Sequence, residues 1–345
     1  MKKVLIIATS RRTRGGITSV IKAHEQGEQW KKYHCKWIEA HIDTNRLAKI
    51  AYFFHALCTC VAIFPFYDII HIHHAGIHRK FVFFLLAKLY GKKVIAHLHA
   101  CDPDTTLNGP DQWMYRFMYR HSSKVIVLSK EWKEMVHKYT GVFENVEVVY
   151  NPCPLVNALP YDQHKKYILY AGTVTIRKGY DILIEAFAKV ASKYSGWKVI
   201  IAGNGEIEKG EEFAKKLNIS DRIQFTGWIS GKEKDKIFRE AGVFCLSSTA
   251  EGFPMGVLDA WAYGVPVITT PVGGITDVAK DGKNLLLCKI RDVSSLAECI
   301  DKLLANAEYR NRVSAESFIL SKSTFSLGTI STQLDEIYQS LYLRK

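Results

Sequence analysis

The chain has eight cysteines but no CxxC pair and no cysteine or histidine spacing of the zinc-binding kind. Cys35, Cys58, Cys60, Cys101, Cys153, Cys245, Cys288 and Cys299 are scattered, so a structural zinc site is set aside and reduced, mostly buried thiols of a cytosolic protein are expected. No low-complexity tract and no repeat of solenoid period is present, which excludes a tandem array. No RNA- or DNA-binding motif accompanies the basic residues, so nucleic acid is not an expected partner. The opening MKKVLIIATS has an apolar run of only about six residues, short for a signal peptide, and no small-residue cleavage site follows. It reads as a buried first strand, and a cytoplasmic location is the expectation.

What is present fits two domains. The chain has 345 residues, of which 48% are hydrophobic and 23% charged, the balance of a globular protein with real cores. The net charge of +13 is uneven: through Pro160 there are 22 Lys and Arg against 12 Asp and Glu, and beyond it 25 against 22. A basic first half suits an anionic partner, with peripheral contact at the inner face of an anionic membrane as one reading and a merely solvated surface as the other. Ile50 to Tyr67 (IAYFFHALCTCVAIFPFY) is nearly long enough to span a bilayer, but contains His55, Thr59 and Pro65. A buried helix followed by a buried strand is expected there rather than a span.

Strand and helix alternate along the whole chain. Val4–Thr9 is a continuous apolar run, as a strand covered on both faces requires, and Gly15-Gly16 then opens a helix. Further strands are predicted at Asp68–His73, Lys93–His97, Lys124–Leu128 and Val146–Tyr150. Asn151 to Tyr161, punctuated by Pro152, Pro154 and Pro160, is the linker candidate. The rhythm restarts with strands at Tyr167–Ala171, Trp197–Ala202, Arg222–Thr226, Val243–Leu246 and Pro266–Thr269 and a helix at Tyr180–Tyr194. Short loops between alternating elements imply parallel sheets with right-handed crossovers, so chemistry is sought in the loops beyond the carboxyl ends of the strands.

The densest signal is Ser247-Ser248-Thr249-Ala250-Glu251-Gly252-Phe253-Pro254-Met255-Gly256-Val257-Leu258-Asp259-Ala260. A strand leads through a glycine-containing turn into a helix whose first amides and positive dipole end suit a phosphate. Glu251 precedes that helix and Asp259 lies about two turns within it, so one carboxylate can meet a sugar and the other a ribose diol. This stretch, followed by Gly264-Val265-Pro266-Val267, resembles the signature of the family-4 retaining glycosyltransferases of GT-B fold. The family's second acid is Glu, where this chain has Asp259. Ala171-Gly172-Thr173 with Arg177-Lys178-Gly179 resembles the family's glycine loop and the basic pair on the donor diphosphate, where cations stabilise a departing phosphate. Gly203-Asn204-Gly205 and Gly227-Trp228 match its remaining loops near the nucleotide. Glu208 stands where a dinucleotide fingerprint has its third glycine.

The first half matches less closely. Gly15-Gly16 resembles the family's N-terminal glycine loop, and Asp68-Ile69-Ile70-His71-Ile72-His73 its third-strand pattern. Val94-Ile95-Ala96-His97-Leu98-His99 resembles the strand ending in a histidine beside the transferred sugar, a place given to His99 over His97. His71, His73, His74 and His78 are close in sequence, but strand alternation sends His71 and His73 to one face and His74 to the other, so no metal site is expected. Cys101 to Asp111 is a polar loop placed to shape an acceptor site. Gln112 to Arg120 interleaves aromatics with Arg116 and Arg120, which suits either a lipid headgroup interface or a helix packed on the sheet with snorkelling arginines. The last helix, from about Ser326 to Leu343, has Leu327, Ile330, Leu334, Ile337, Tyr338 and Leu341 on one stripe.

The resemblance implies an α/β GT-B protein with two Rossmann-like domains facing across a cleft: an acceptor-side domain over 1–160, a nucleotide-sugar domain over 161–325, and a terminal helix over 326–345 returning to the first. It implies transfer, with retention, from a nucleotide sugar, UDP before GDP, to a glycan or lipid-linked glycan acceptor in surface polysaccharide assembly. His99, Glu251, Arg177 and Lys178 are the catalytic candidates. Gly15, Gly16, Gly172, Gly203, Gly227, Met255, Gly256, Val257 and Asp259 are the binding candidates. No cofactor or metal is expected, because the one Asp-x-Asp triplet, Asp102-Pro103-Asp104, lies in the first half. A nucleotide-sugar epimerase or hydrolase of the same fold, a dinucleotide-dependent dehydrogenase and a non-catalytic scaffold stay open.

Overall fold

A computed structural model describes residues 2–157 and 160–343, so two positions of the linker candidate lie outside the described residues. The chain divides into two compact units, Met1–Pro152 with Leu327–Lys345, and Cys153–Ser326. The passage into the second unit thus comes at Cys153, where the sequence reading placed it after Pro160.

The first unit runs β1 (Val4–Thr9), α1 (Gly16–His24), α2 (Glu28–Lys32), β2 (Lys36–His41), α3 (Arg46–Ile63), β3 (Ile69–His74), α4 (His78–Leu89), β4 (Lys93–Leu98), α5 (Pro103–Leu107), α6 (Gln112–His121), β5 (Lys124–Val127), α7 (Lys130–Thr140) and β6 (Val146–Val148). All its strands are parallel, in the order β2-β1-β3-β4-β5-β6. β2 is absent from the sequence reading because KWIEAH is an edge strand whose Lys36 and Glu39 break the apolar run. The candidate acceptor loop is partly helical: Asp102 caps α5 by accepting the amide of Asp104 at 3.1 Å and the Thr105 hydroxyl at 2.9 Å.

Period-two alternation divides the strand side chains between two cores. Leu5, Ile7, Ile70, Ile72, Val94, Ala96, Val125 and Val127 pack under α3, α4, α6 and α7. Val4, Ile6, Ile69, Ile95 and Ile126 pack on the opposite face. That second face is covered by α1 and by the last helix of the chain, α14 (Leu327–Leu343), introduced here because it belongs to this unit. The stripe read from the sequence is its buried side: Leu327, Ile330, Leu334, Ile337, Tyr338 and Leu341 are all buried. Asp335 anchors the helix, taking Lys32 Nζ at 2.7 Å and the Tyr33 hydroxyl at 2.7 Å.

One expectation is overturned. The apolar segment after Ile50 was expected to be buried, yet within α3 only Ala56 and Cys60 are buried, while Leu47, Ile50, Phe54 and Val61 are exposed. Helical geometry gives such a segment one stripe on the sheet, and apolar residues around the remaining circumference have nothing of this unit to cover them.

The second unit runs β7 (Tyr167–Ala171), α8 (Tyr180–Val190), β8 (Lys198–Ala202), α9 (Ile207–Lys216), β9 (Ile223–Gly227), α10 (Gly231–Glu240), β10 (Val243–Leu246), α11 (Met255–Ala262), β11 (Val267–Thr269), β12 (Leu286–Leu287), α12 (Val293–Ala305) and α13 (Ala307–Lys322). Its parallel sheet has the order β12-β11-β10-β7-β8-β9. The direction of winding reverses between β7 and β10, the position where open α/β sheets hold their ligands.

Leu334 is 1% exposed in the core under α14. Leu334→Ala is expected to cost about 2–5 kcal/mol, read as an earlier urea midpoint of the first unit by circular dichroism; an unchanged midpoint would contradict the packing of this helix.

Candidate active site

The site candidates of the second unit gather at the carboxyl ends of β10, β7, β8 and β9. After β7, Gly172 leads to a short 3-10 turn at Ile176–Lys178. Gly179 then turns the chain into α8 with φ 76°. A side chain there would put its Cβ 2.2 Å from the Ser247 carbonyl oxygen, so only glycine lets the two loops come this close. The loops are stitched by Thr249 N–H to Arg177 O at 2.8 Å and by Ser247 Oγ to Gly179 O at 2.8 Å.

At this junction stands Glu251, buried at 7% exposure. Its Oε1 receives the Lys178 ammonium and, at 2.8 Å, the Ser248 hydroxyl. Arg177 donates to the Ala250 carbonyl at 2.7 Å and lies 3.8 Å from the same Oε1. Arg177, Lys178 and Glu251 therefore form one charged group. An ammonium has three protons, and no described residue donates to Glu251 Oε2, so both partners keep unused hydrogen-bonding capacity. Thr249 to Pro254 then lead into α11. No described acceptor takes the amides of Met255 and Gly256, whereas the Val257 amide turns back to Pro254 O at 3.0 Å. The first two candidates therefore present free donors at a helix start and Val257 does not. A Cβ on Gly256 would meet the Ala171 oxygen and the Phe244 ring, both at 2.8 Å, so glycine sets the helix start directly on the end of β7.

Asp259 lies within α11, 8% exposed, and pairs with Lys234 Nζ of α10 at 2.7 Å. Burial pushes its carboxyl pKa up, and the neighbouring ammonium pulls it back down. The other loops are closed by backbone: Gly172 N–H binds Ala202 O at 3.0 Å, and Val174 N–H binds Asn204 O at 2.8 Å. A Cβ on Gly203 would sit 1.8 Å from Gly172 O, so this glycine is required by the neighbouring loop whatever ligand it meets. Gly227 ends β9 with φ 71°, and a Cβ there would meet Asn204 Oδ1 at 3.7 Å.

In the first unit, Gly15 and Gly16 are exposed at the start of α1, with no atom within 4 Å of a Cβ built on Gly15. Arg11, Arg12 and Arg14 are exposed in the loop before them. His99 is half-buried just beyond β4, its Nε2 2.9 Å from His73 Nδ1. His71 Nε2 lies 3.2 Å from His97 Nδ1, and His71 Nδ1 lies 2.8 Å from the Tyr338 hydroxyl of α14. His71 stacks on His73 at 4.3 Å and His97 on His99 at 4.2 Å.

With this geometry in place, comparison with known proteins is specific. The family model described as Glycosyl transferases group 1 matches residues 156–319, and that described as Glycosyltransferase Family 4 matches residues 66–155. The chain belongs to the family-4 glycosyltransferases of GT-B fold. It is 26% identical over 240 residues to an uncharacterized glycosyltransferase of Methanocaldococcus jannaschii, covering 63% of this chain and 60% of that protein. It is 25% identical over 290 residues to N-acetyl-alpha-D-glucosaminyl L-malate synthase of Bacillus anthracis, covering 79% and 74%. Among solved structures, Anabaena HepE in complex with UDP and glucose matches with a TM-score of 0.78 at 17% identity, over 99% of this chain and 100% of that one. Sucrose-phosphate synthase from Thermosynechococcus elongatus matches with 0.84 at 17% identity, over the full length of both chains.

Two features of this family-4 chain escaped the sequence reading. Lys234 sits on α10, for which the sequence offers no site signal, and only the fold brings it to Asp259. The arginines before Gly15 were legible as three cations in four positions. The histidines reach further than expected: His71, His73 and His97 bring one nitrogen each within 4.8 Å of one another. Four of the ring nitrogens in the cluster of His71, His73, His97 and His99 are engaged with one another, and a fifth with Tyr338, so the group reads as a hydrogen-bonded imidazole array.

Burial lowers the pKa of His24 to about 4 and of His71 and His74 to about 3, and holds His73, His97 and His99 well below the usual value. A folded-state pKa below the unfolded one means stability is complete above about 6.5 and is lost as pH falls toward the folded values, by up to about 1.4 kcal/mol per pH unit per histidine. The melting temperature should therefore fall steeply between about pH 6.5 and 4.5; a flat profile by circular dichroism would contradict neutral burial of this group.

Proposed function

We propose that this protein transfers a glycosyl group, with retention of configuration, from a nucleoside diphosphate sugar to a glycan or lipid-linked glycan in surface polysaccharide assembly. The observation that carries the reading is the group at the β7–β10 junction: two cations, a buried carboxylate and two free helix amides converge where the sheet's winding reverses. The diphosphate lies against Arg177, Lys178 and the amides of Met255 and Gly256. Glu251 Oε2 accepts from a donor-sugar hydroxyl, and Asp259 from the ribose. His99, neutral because of its burial, acts as a hydrogen-bonding group for sugar hydroxyls rather than as an acid. UDP is the favoured nucleotide, in keeping with the UDP-glucose complex of Anabaena HepE. A surface-glycan role is in keeping with the lipopolysaccharide core glycosyltransferase LpsE of Rhizobium meliloti, 32% identical over 166 residues.

In the reaction the bond between the anomeric carbon and the diphosphate oxygen breaks as the acceptor oxygen bonds to the same face. The acceptor proton passes to the departing phosphate. Charge grows on that phosphate in the transition state, so fixed cations there act on the barrier more than on binding. They meet the need that a divalent ion would otherwise meet, and the reading is metal-independent transfer. A dehydrogenase is disfavoured by the Gly203–Gly205 loop, whose backbone is closed against Gly172 and Val174 instead of opening to a pyrophosphate.

A panel of UDP- and GDP-sugars is expected to raise the melting temperature, and the best of them to give a product whose new linkage keeps the donor's anomeric configuration by NMR. Lys178→Ala is expected to lower kcat roughly 100-fold or more, and Glu251→Ala to do likewise. Free sugar formed without any acceptor-dependent product would favour a hydrolase, and full activity in both variants would remove this site from the chemistry.

A further inference from the structure

The exposed apolar side of the first unit has a chemistry of its own. α3, α4 and α6 lie side by side over one face of the sheet, joined by ring contacts between Phe53 and Phe83 at 5.6 Å and between Phe81 and Trp113 at 5.8 Å. Their outward surface carries Leu47 at 79% exposure, Phe54 at 56%, Leu89 at 83% and Trp113 at 62%, with Ile50 and Leu85 between. Monomeric surfaces scatter such residues singly, and a layer of them marks an interaction site. α3 with its following turn, Arg46–Phe66, is by length and composition apolar enough to cross a bilayer, yet Ala56, Cys60 and Phe64 hold it to the domain core.

The charge on these helices is of one sign. α3, α4 and α6 contain no Asp or Glu, and they contain Arg46, Lys49, Arg79, Lys80, Lys88, Arg116 and Arg120. Of these, only Lys80 is buried. The cations sit among the apolar residues: Arg46, Lys49 and Arg79 line one cleft with Ile50, Phe53 and Phe54, and Arg116 and Arg120 line another with Trp113 and Phe117. Of the acids near the layer, Asp43 is paired with Lys49 at 3.1 Å and Asp111 lies 2.9 Å from His78, while Asp104, Glu131 and Glu134 belong to α5 and α7 beside α6.

We propose that the outer face of α3, α4 and α6 docks on an anionic phospholipid bilayer, its Leu, Phe and Trp side chains entering the headgroup–acyl boundary while the arginines and lysines bind lipid phosphates. Apolar residues with interspersed cations and no anion are the pattern of a helix that lies in a membrane interface. A second copy of this chain is the wrong occupant, because a self-complementary contact would press like-charged helices together with no carboxylate of their own to pair them. The inference stands apart from the sugar-transfer reading, since binding is measured without donor or acceptor.

The test uses the full chain and sucrose-loaded vesicles in a sedimentation assay. Vesicles of phosphatidylcholine with about 30% phosphatidylglycerol should pull the protein down, phosphatidylcholine alone should do so far less, and about 0.5 M NaCl should weaken the binding. The exposed pair Phe54→Ser with Leu89→Ser, and separately Arg116→Glu with Arg120→Glu, should each cut binding, with about a five-fold loss per cation removed and an unchanged melting temperature. No sedimentation with the anionic vesicles at low salt would overturn the proposal. So would equal binding to both vesicle types, or a dimer in light scattering that the Phe54→Ser, Leu89→Ser pair converts to monomer. The vesicle comparison on the unaltered chain is decisive even if a variant fails to fold.

Discussion

The contact between Lys178 and Glu251 sets the geometry on which the site of the second unit depends. Both partners are largely removed from water, where losing one leaves the other as an uncompensated charge at a cost of about 3–5 kcal/mol. The loops after β7 and β10 are therefore tied by more than their backbone hydrogen bonds. Gly179 has to be glycine because the tie draws its Cα up to the Ser247 carbonyl. The same carboxylate orients the cation beside it and offers its second oxygen outward, so the groups that hold the loops are also those that would hold a ligand. Such a site needs little reorganisation when charge develops in it.

The first unit is built on the opposite electrostatic principle. Its buried polar residues include a group of imidazoles whose pKa values burial holds down, bonded to one another and to Tyr338 of the terminal helix. Lys80 apart, the cations of α3, α4 and α6 lie on the outside, on helices that cover the other face of the sheet. Seven Lys and Arg residues of the first half, with no Asp or Glu on the same helices, lie on that one layer. Neutral histidines avoid the cost of burying ions, and α14 closes the array with a hydroxyl that no residue of the preceding 152 supplies.

Most of the architecture was legible because it rests on short-range regularities. Short continuous apolar runs bounded by turn residues, such as Val4–Thr9 and Tyr167–Ala171, read as strands covered on both faces, and the stripe on the last helix announced its buried side. Glu251, Asp259, Arg177 and Lys178 could be picked out as candidates because a strand–turn–helix sets its residues at constant spacing. β2 was missed because an edge strand tolerates Lys36 and Glu39. α3 was misjudged because hydropathy records the wish to leave water but not whether a neighbour is present to allow it.

The order of residues by itself determined the two parallel α/β units, the positions of the glycine-containing strand-to-helix turns and the family. Only the tertiary structure decided the partners: Lys178 with Glu251, Lys234 with Asp259, Tyr338 with His71, and the outward face of α3. Secondary structure follows from interactions between residues a few positions apart, whose period is written in the chain. An ion pair spanning 73 positions or a helix face left uncovered depends on how distant elements pack, and no local period encodes that.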